Sequence, residues 1–196
     1  VKRRSCKIIA IASLLLVLAF LGYRWRMARI EFSQDHRIVA AARKHRVDPA
    51  LVKAVVWRES RFDPAALGTK GERGLMQIME RTGGEWASAT REPMFSTATL
   101  LDPERNIDCG SWYLAKLLRR YQKTDDPVPY ALADYNAGRS NVLKWMKGSA
   151  ATNSATFIGQ IGFPSTRHYV RTVVERRAKY AGQFPDFERG SQSSVK

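Results

Sequence analysis

Glu59 is the residue in this 196-residue chain whose type and position most suggest proton-transfer chemistry. It follows Val52, Val55 and Val56 by seven, four and three positions, which places it on the apolar face of its own helix, near the C-terminal end. A carboxyl on that face is poorly solvated, and desolvation raises its pKa. A raised pKa suits a general acid at neutral pH. The plainer reading is a carboxylate paired with Arg58, Arg61 or Arg73 at a helix end.

Two further clusters carry polar groups suited to a cleft. Gly74-Leu75-Met76-Gln77-Ile78 offers an amide that donates and accepts at Gln77 and a soft apolar wall at Met76. Alone, such a run is more often a helix start with core residues. Tyr135-Asn136-Ala137-Gly138 places a phenol beside a turn, where it contacts a ligand or simply closes a helix end. Trp57, Trp86, Trp112 and Trp145 supply either sugar-stacking faces or core volume, and core is the reading favoured for most of them.

These groups need helices to hold them. Residues 35–46 read as helical. Asp48 caps the next helix, with Pro49 at its first position, and the helix runs from Ala50 to about Ser60. Arg61 to Arg73 reads as a loop, since it contains Asp63-Pro64, Gly68 and Gly71. Gly74 to Trp86 is expected to form two short helices broken near Gly83-Gly84. A loop with one helical turn fills 90–102, and a long amphipathic helix runs from Asp102-Pro103 to about Tyr121. Another helix covers 127–136 and ends at Asn136-Ala137-Gly138, because Asn and Gly tolerate left-handed backbone angles. Short helices are expected at 139–147 and 154–160, and a last one from Pro164 to about Ala181. No run of alternating strands appears, so the fold class is mainly α.

Composition narrows the function. The formal net charge is +15, and residues 1–29 carry seven Lys/Arg and no acid. The remainder, at +8, suits an anionic partner such as cell wall, anionic lipid or nucleic acid, or is a solvated basic surface. Charge alone supports nucleic acid; no helix-turn-helix or ribonucleoprotein motif does, so nucleic acid is not an expected partner. Cys6 and Cys109 lie too far apart along the chain and its expected topology for a disulfide, and Cys109 is expected to be a buried thiol. His36, His45 and His168 show no metal-ligand spacing, so neither metal nor cofactor is expected.

Ile8 to Tyr23 is an uncharged apolar run with Arg24, Trp25 and Arg26 directly after it. Its 16 residues rise about 24 Å as a helix, slightly short of a typical span. It reads as an uncleaved membrane anchor in preference to a cleaved signal, because no small-x-small cleavage site follows it. The division expected is a basic N-terminus with anchor over 1–29, one globular domain over 30–182 and a polar, frayed tail over 183–196.

Taken in order, Glu59-Ser60, Gly74-Leu75-Met76-Gln77 and Tyr135-Asn136-Ala137-Gly138 resemble the soluble lytic transglycosylase (SLT) family, which is related to goose-type lysozymes. Leu101-Asp102-Pro103-Glu104, Asn106-Ile107, Phe163, Thr166-Arg167 and Tyr169-Val170 extend the likeness over roughly residues 38–181. The resemblance implies a mainly α, lysozyme-like domain with a glycan cleft. It implies cleavage of the β-1,4 bond between N-acetylmuramic acid and N-acetylglucosamine in peptidoglycan, leaving 1,6-anhydro ends. Glu59 is then the catalytic residue and serves first as acid and then as base, unlike paired-carboxylate glycosidases. Ser60, Met76, Gln77, Tyr135 and Asn136 are the implied substrate-binding group. Within it Ser60 supports the loop or the acid, Met76 and Gln77 line the cleft, Tyr135 orients Glu59 and Asn136 holds the turn. The partners implied are glycan strands and, through the N-terminal helix, the inner membrane, with a monomeric catalytic domain on its outer side. A hydrolytic muramidase and a non-catalytic glycan-binding scaffold are the alternatives.

Four positions depart from the family pattern. Ser165 stands where many relatives carry Glu, Gly68 where they often carry Ser, Arg139 where Pro is usual, and Asp134 where Ala is usual. Asp134 is a weak candidate for a second acid, since a helical neighbour points about 100° away from Tyr135.

Overall fold

The structure, a computed structural model, describes the backbone at residues 2–185 and 187 and side chains from residue 14 onward. It divides into two units, Val1–Gln34 and Asp35–Lys196.

The first unit is one helix, α1 (Lys2–Phe32), which contains the apolar run. Leu14, Leu15, Leu16, Val17, Leu18, Phe20 and Leu21 are all exposed. Among the described residues, no helix is long and apolar enough to cross a membrane. The expected anchor begins at Ile8, so its first six side chains lie outside those described.

Among the described residues, the second unit has eight α-helices with short 3-10 turns between them: α2 (Asp35–His45), α3 (Pro49–Ser60), α4 (Glu80–Thr90), α5 (Pro103–Arg120), α6 (Pro127–Ala137), α7 (Arg139–Trp145), α8 (Ser154–Gln160) and α9 (Pro164–Tyr180). Its described β structure is limited to the isolated bridges Leu67–Arg73 and Arg73–Ile78. The start signals act as the sequence suggests. Asp48 and Asp102 each accept a backbone N–H of the following turn, from Ala50 at 2.8 Å and Arg105 at 2.9 Å, and a proline follows each cap. Gly138, at φ +81°, closes α6. The expected tail from 183 lies, apart from 183–185 and 187, outside the described residues.

The core forms where α3 packs on α2 and α9, and where α5 packs on α2, α4 and α6. Leu51, Val52, Val55 and Val56 of α3 are fully buried, as the periodicity requires. Each such side chain contributes about 1.5–3 kcal/mol relative to exposure. Lys53 on the same helix is also fully buried; its Nζ meets the Asp35 carboxylate at 2.7 Å and Gln183 Oε1 at 2.8 Å, above the Tyr180 ring.

One expected break is absent. Gly74–Met79 is a turn, and α4 then runs unbroken through Gly83-Gly84. A Cβ at Gly83 would stand 2.6 Å from the Phe95 ring and 3.2 Å from Leu100 Cδ1, so the glycine admits close packing and does not end the helix. A buried polar hub joins three helices: Asp108 of α5 accepts from Lys44 and His45 of α2 and from Trp86 Nε1 of α4, at 2.8–3.0 Å.

Candidate active site

Glu59 lies on the last turn of α3, and the chain turns sharply just after it. Arg61 (φ +54°) and Phe62 (φ +66°) are consecutive left-handed residues that are not glycine. Each such conformation costs roughly 1–3 kcal/mol and persists only where surrounding contacts impose it. Here the Arg61 N–H returns to the Trp57 carbonyl, and Phe62 is buried.

The Glu59 carboxyl accepts a 2.6 Å hydrogen bond at Oε1 from the hydroxyl of Tyr169, a buried residue of α9. Burial raises its pKa above the ordinary carboxylate value, the Tyr169 bond and the nearby Arg58 charge pull it back in part, and the Glu72 charge pushes it up; the net direction is upward. Glu59 makes no ion pair among the described residues, so the helix-end pairing weighed from sequence does not form. The Arg58 guanidinium lies over the Tyr169 ring, 5.4 Å from its centre. Arg61 and Arg176 lie 3.5 and 3.7 Å from the centre of the Trp57 ring, distances that place them on opposite faces. Trp57 is thus a cation-stacked residue, while Trp86 and Trp145 are core.

The turn Arg73–Ile78 forms the neighbouring wall. Arg73 and Ile78 exchange backbone hydrogen bonds at 3.1 and 2.9 Å, and Gly74 (φ +72°) and Gln77 (φ +47°) make the reversal. Asn106 of α5 fixes the turn from below. Its Oδ1 accepts from the Met76 N–H at 2.7 Å, and its Nδ2 donates to the Arg73 and Leu100 carbonyls at 2.8 and 2.6 Å. Gly74 must be glycine on two grounds, its φ and the 2.4 Å that would separate a Cβ from the Leu100 carbonyl. Ser60 joins the turn to α3 by donating to the Leu75 carbonyl at 2.8 Å, with the Val56 carbonyl at 3.1 Å.

The remaining candidates fall as follows. Met76 is fully buried against Gly110 of α5 and takes part through its carbonyl, which accepts the Tyr135 hydroxyl at 2.7 Å. Its side chain therefore does not form the cleft wall expected of it, because the space beside Gly110 takes it into the core. Tyr135 orients Met76 instead of hydrogen-bonding Glu59, although burial and then the Glu59 charge raise its phenol well above the ordinary value. Gln77 is half-buried; its Nε2 donates to the Ala66 and Gly74 carbonyls at 3.1 and 2.9 Å. Asn136 is exposed and accepts the Thr166 hydroxyl at 2.8 Å, tying α6 to α9. Asp134 is buried, paired with Arg120 and bonded by Tyr121, so it faces those groups as an anchor. It also borders a recess shared with Met79, Thr82, Tyr113, Gly138 and Arg139, and the Tyr113 ring packs 5.4 Å from that of Tyr135.

Two residues escaped the sequence reading. Tyr169 sits within a motif that was visible, but 110 positions from the carboxyl it holds. Asn106 sat among family-like residues with nothing local to mark it as the fastener of the turn. Cys109 is a buried free thiol, and burial pushes its pKa far up.

Comparison with known proteins places the sequence and the fold. The transglycosylase SLT domain family matches residues 37–158. The soluble lytic murein transglycosylase of Escherichia coli (strain K12) is 35% identical over 136 residues, covering 68% of this chain and 21% of that protein. The membrane-bound lytic murein transglycosylase F of Desulfosudis oleivorans is 38% identical over 108 residues, or 54% of this chain and 22% of that protein. Among solved structures, an inactive mutant of the lytic transglycosylase Slt from Pseudomonas aeruginosa superposes with a TM-score of 0.73 at 27% identity, covering 80% of this chain and 25% of that one. The chain thus spans about a fifth to a quarter of the length of these relatives. With a mainly α, lysozyme-like fold and the family's match across more than half its length, the chain belongs to the transglycosylase SLT domain family.

Proposed function

We propose that this chain is a peptidoglycan lytic transglycosylase that cleaves the β-1,4 bond between N-acetylmuramic acid and N-acetylglucosamine, for cell-wall remodelling. The observation that carries the reading is the Glu59 carboxyl, desolvated, held by Tyr169 and free of any ion pair among the described residues. Such a carboxyl holds its proton to higher pH than an ordinary one, which suits it to give that proton to a leaving group.

The reaction takes two proton transfers. Glu59 gives its proton to the glycosidic oxygen as the C1–O bond breaks, and the N-acetylglucosamine strand leaves as an alcohol. The muramyl 2-acetamido oxygen supports C1 as positive charge develops there. Glu59, now ionised and steadied by the Tyr169 hydroxyl, takes the proton from the muramyl C6 hydroxyl. That oxygen closes on C1 and forms the 1,6-anhydro ring. No water is consumed and Glu59 returns to its starting state. No cofactor or metal enters this scheme.

In the same reading, α1 anchors the domain to the inner membrane, with the catalytic unit a monomer on the outer side. The exposed Leu14–Leu18 and Phe20-Leu21 and the flanking Arg24 and Arg26 support this. The basic surface suits an anionic wall polymer.

Mass spectrometry of purified sacculi digested by the parent and by Glu59→Gln tests the proposal. The parent should release anhydromuramyl ends, and Glu59→Gln should lose at least about 100-fold in rate, the low end of what general acid–base groups contribute. Reducing muramyl ends would instead assign a hydrolytic muramidase. Binding to sacculi without any cleavage by the parent would assign a scaffold.

A further inference from the structure

The loop 66–74 holds a side-chain arrangement that the reaction above does not use. Gly68 has no Cβ, and the place that a Cβ would take is occupied. It lies 2.2 Å from Glu72 Oε2, 2.8 Å from Glu72 Cδ and 2.9 Å from Gln77 Oε1. The Glu72 carboxylate is folded back over the Gly68 backbone, held there by the Lys70 N–H at 2.8 Å. Gln77 is fixed from the other side. Both its Nε2 contacts, Ala66 and Gly74, are carbonyls, so the amide can only be oriented with its nitrogen toward them and its Oε1 toward Gly68. No donor from the described residues reaches that oxygen.

Two acceptor oxygens therefore lie side by side next to Gly68, one neutral and one on a carboxylate. That edge of the turn accepts and does not donate. Both residues are only half-buried, so part of each side chain reaches the surface. The edge also stands close enough to Glu59 for the Glu72 charge to act on it. A hydroxyl at residue 68, of the kind relatives often carry as Ser, would both donate and accept. Replacing it by Gly and filling the vacated volume with Glu72 changes the polarity that the wall presents to a sugar.

We propose that Glu72 is a specificity-determining residue of this site: together with Gln77 Oε1 it accepts a hydrogen-bond donor of the sugar bound beside Glu59. The donor is an acetamido N–H or a ring hydroxyl, and a carbonyl oxygen is disfavoured there. The assignment rests on the glycan-cleaving reading of Glu59. It gives Glu72 a second effect, since its charge works against ionisation of Glu59, opposite in sign to the Tyr169 hydrogen bond and the Arg58 charge that act on the same carboxyl, with the buried Tyr135 phenol nearby.

Calorimetric titration tests the binding role, using the Glu59→Gln background so that no turnover occurs. The ligands are a chitooligosaccharide and its de-N-acetylated counterpart. Glu72→Ala should weaken binding of the acetylated oligosaccharide by roughly 10-fold or more, the usual loss for a charge-assisted hydrogen bond. Gly68→Ser with Glu72→Ala should recover part of that loss. De-N-acetylation leaves an ammonium at C2 that donates to a carboxylate more strongly than an acetamido N–H does, so a larger loss for the de-N-acetylated ligand on Glu72→Ala assigns the donor to the C2 nitrogen, and an equal loss assigns it to a hydroxyl.

A pH profile separates this role from a merely structural one. Glu72→Gln keeps an acceptor for the Lys70 N–H and so keeps the loop, but removes the charge. With Glu59 intact, the upper limb of kcat/KM should move to lower pH. Binding within twofold of the parent in Glu72→Ala, with an unmoved limb in Glu72→Gln, would overturn the assignment. If the parent fails to cut sacculi, or Glu59→Gln cuts as fast, the glycan-cleaving reading itself fails. Glu59-dependent cutting that is indifferent to Glu72 overturns this assignment alone.

Discussion

Replacing Tyr169 by Phe removes one hydroxyl and leaves the ring that fills the core between α3 and α9. The hydroxyl lies 2.6 Å from Glu59 Oε1, and Tyr169 is 2% exposed, so water does not readily take its place. A hydrogen bond to a charged group contributes about 1.5–3 kcal/mol. In the proposed cycle that contribution appears when Glu59 becomes a carboxylate, at the cleavage step. The expected loss in kcat/KM is therefore roughly 10- to 150-fold at neutral pH. The pH dependence has a definite sign. The Tyr169 bond lowers the pKa of Glu59, so without it the carboxyl rises further, and the proton needed for attack is retained to higher pH. The upper limb of kcat/KM should move up, opposite to the shift expected for Glu72→Gln. Muropeptide release from sacculi, measured by mass spectrometry over a pH series, reads both effects, and a melting curve checks that the fold is intact. A folded Tyr169→Phe with parental kcat/KM and an unmoved upper limb would refute the role given to Tyr169.

Three further outcomes follow from the packing. Asp108→Asn should destabilise the domain by an amount toward the lower end of about 3–5 kcal/mol, because Trp86 Nε1 and His45 are buried partners while Lys44 is exposed. Burial alone would raise the Asp108 carboxyl, but the His45 and Lys44 bonds outweigh it and hold it below the usual range. Its contribution is thus complete above about pH 4 and fades as pH falls through the lowered value, so denaturant melts of parent and variant should converge in acid. Gly110→Ala should cost about 1–3 kcal/mol by overpacking, since the new methyl would stand 2.2 Å from Met76 Sδ in a place with no room to yield; chemical denaturation measures it. Asp134→Asn should lower the melting temperature through its Arg120 and Tyr121 partners and leave kcat/KM on sacculi within about twofold, whereas a second catalytic acid there would lose far more.

What the sequence revealed was local. The Asp48-Pro49 start of α3, the spacing that buries Val52, Val55 and Val56, and the Gly138 stop of α6 each depend on neighbours within a few positions, and each appears in the structure. The desolvated setting of Glu59 was legible for the same reason. What stayed hidden depends on distant partners. Gly83-Gly84 reads as a helix break until Phe95 and Leu100 are placed against it. Nothing near Lys53 or Asp108 in the chain marks them as buried; their surroundings come from Asp35 and Gln183, and from Trp86 and His45. Tyr135 is nearer than Tyr169 to the turn motif, and chain order gives no hint that the more remote phenol takes the carboxyl.

The fit of Glu72 over Gly68 also constrains how such a site can arise by single substitutions. Any side chain at residue 68 starts with a Cβ, and that atom would overlap the carboxylate of Glu72. A lineage that gained the glutamate first would have had to hold it in another rotamer, out in solvent, with nothing for selection to favour. Losing the side chain at 68 first opens a small void, a mild change in a half-exposed loop, which the glutamate then fills. A side chain at residue 68 would meet the flexible ends of Glu72 and Gln77 and not backbone, so it would turn the Glu72 carboxylate out toward solvent; what the two positions present at this edge of the turn is therefore set jointly.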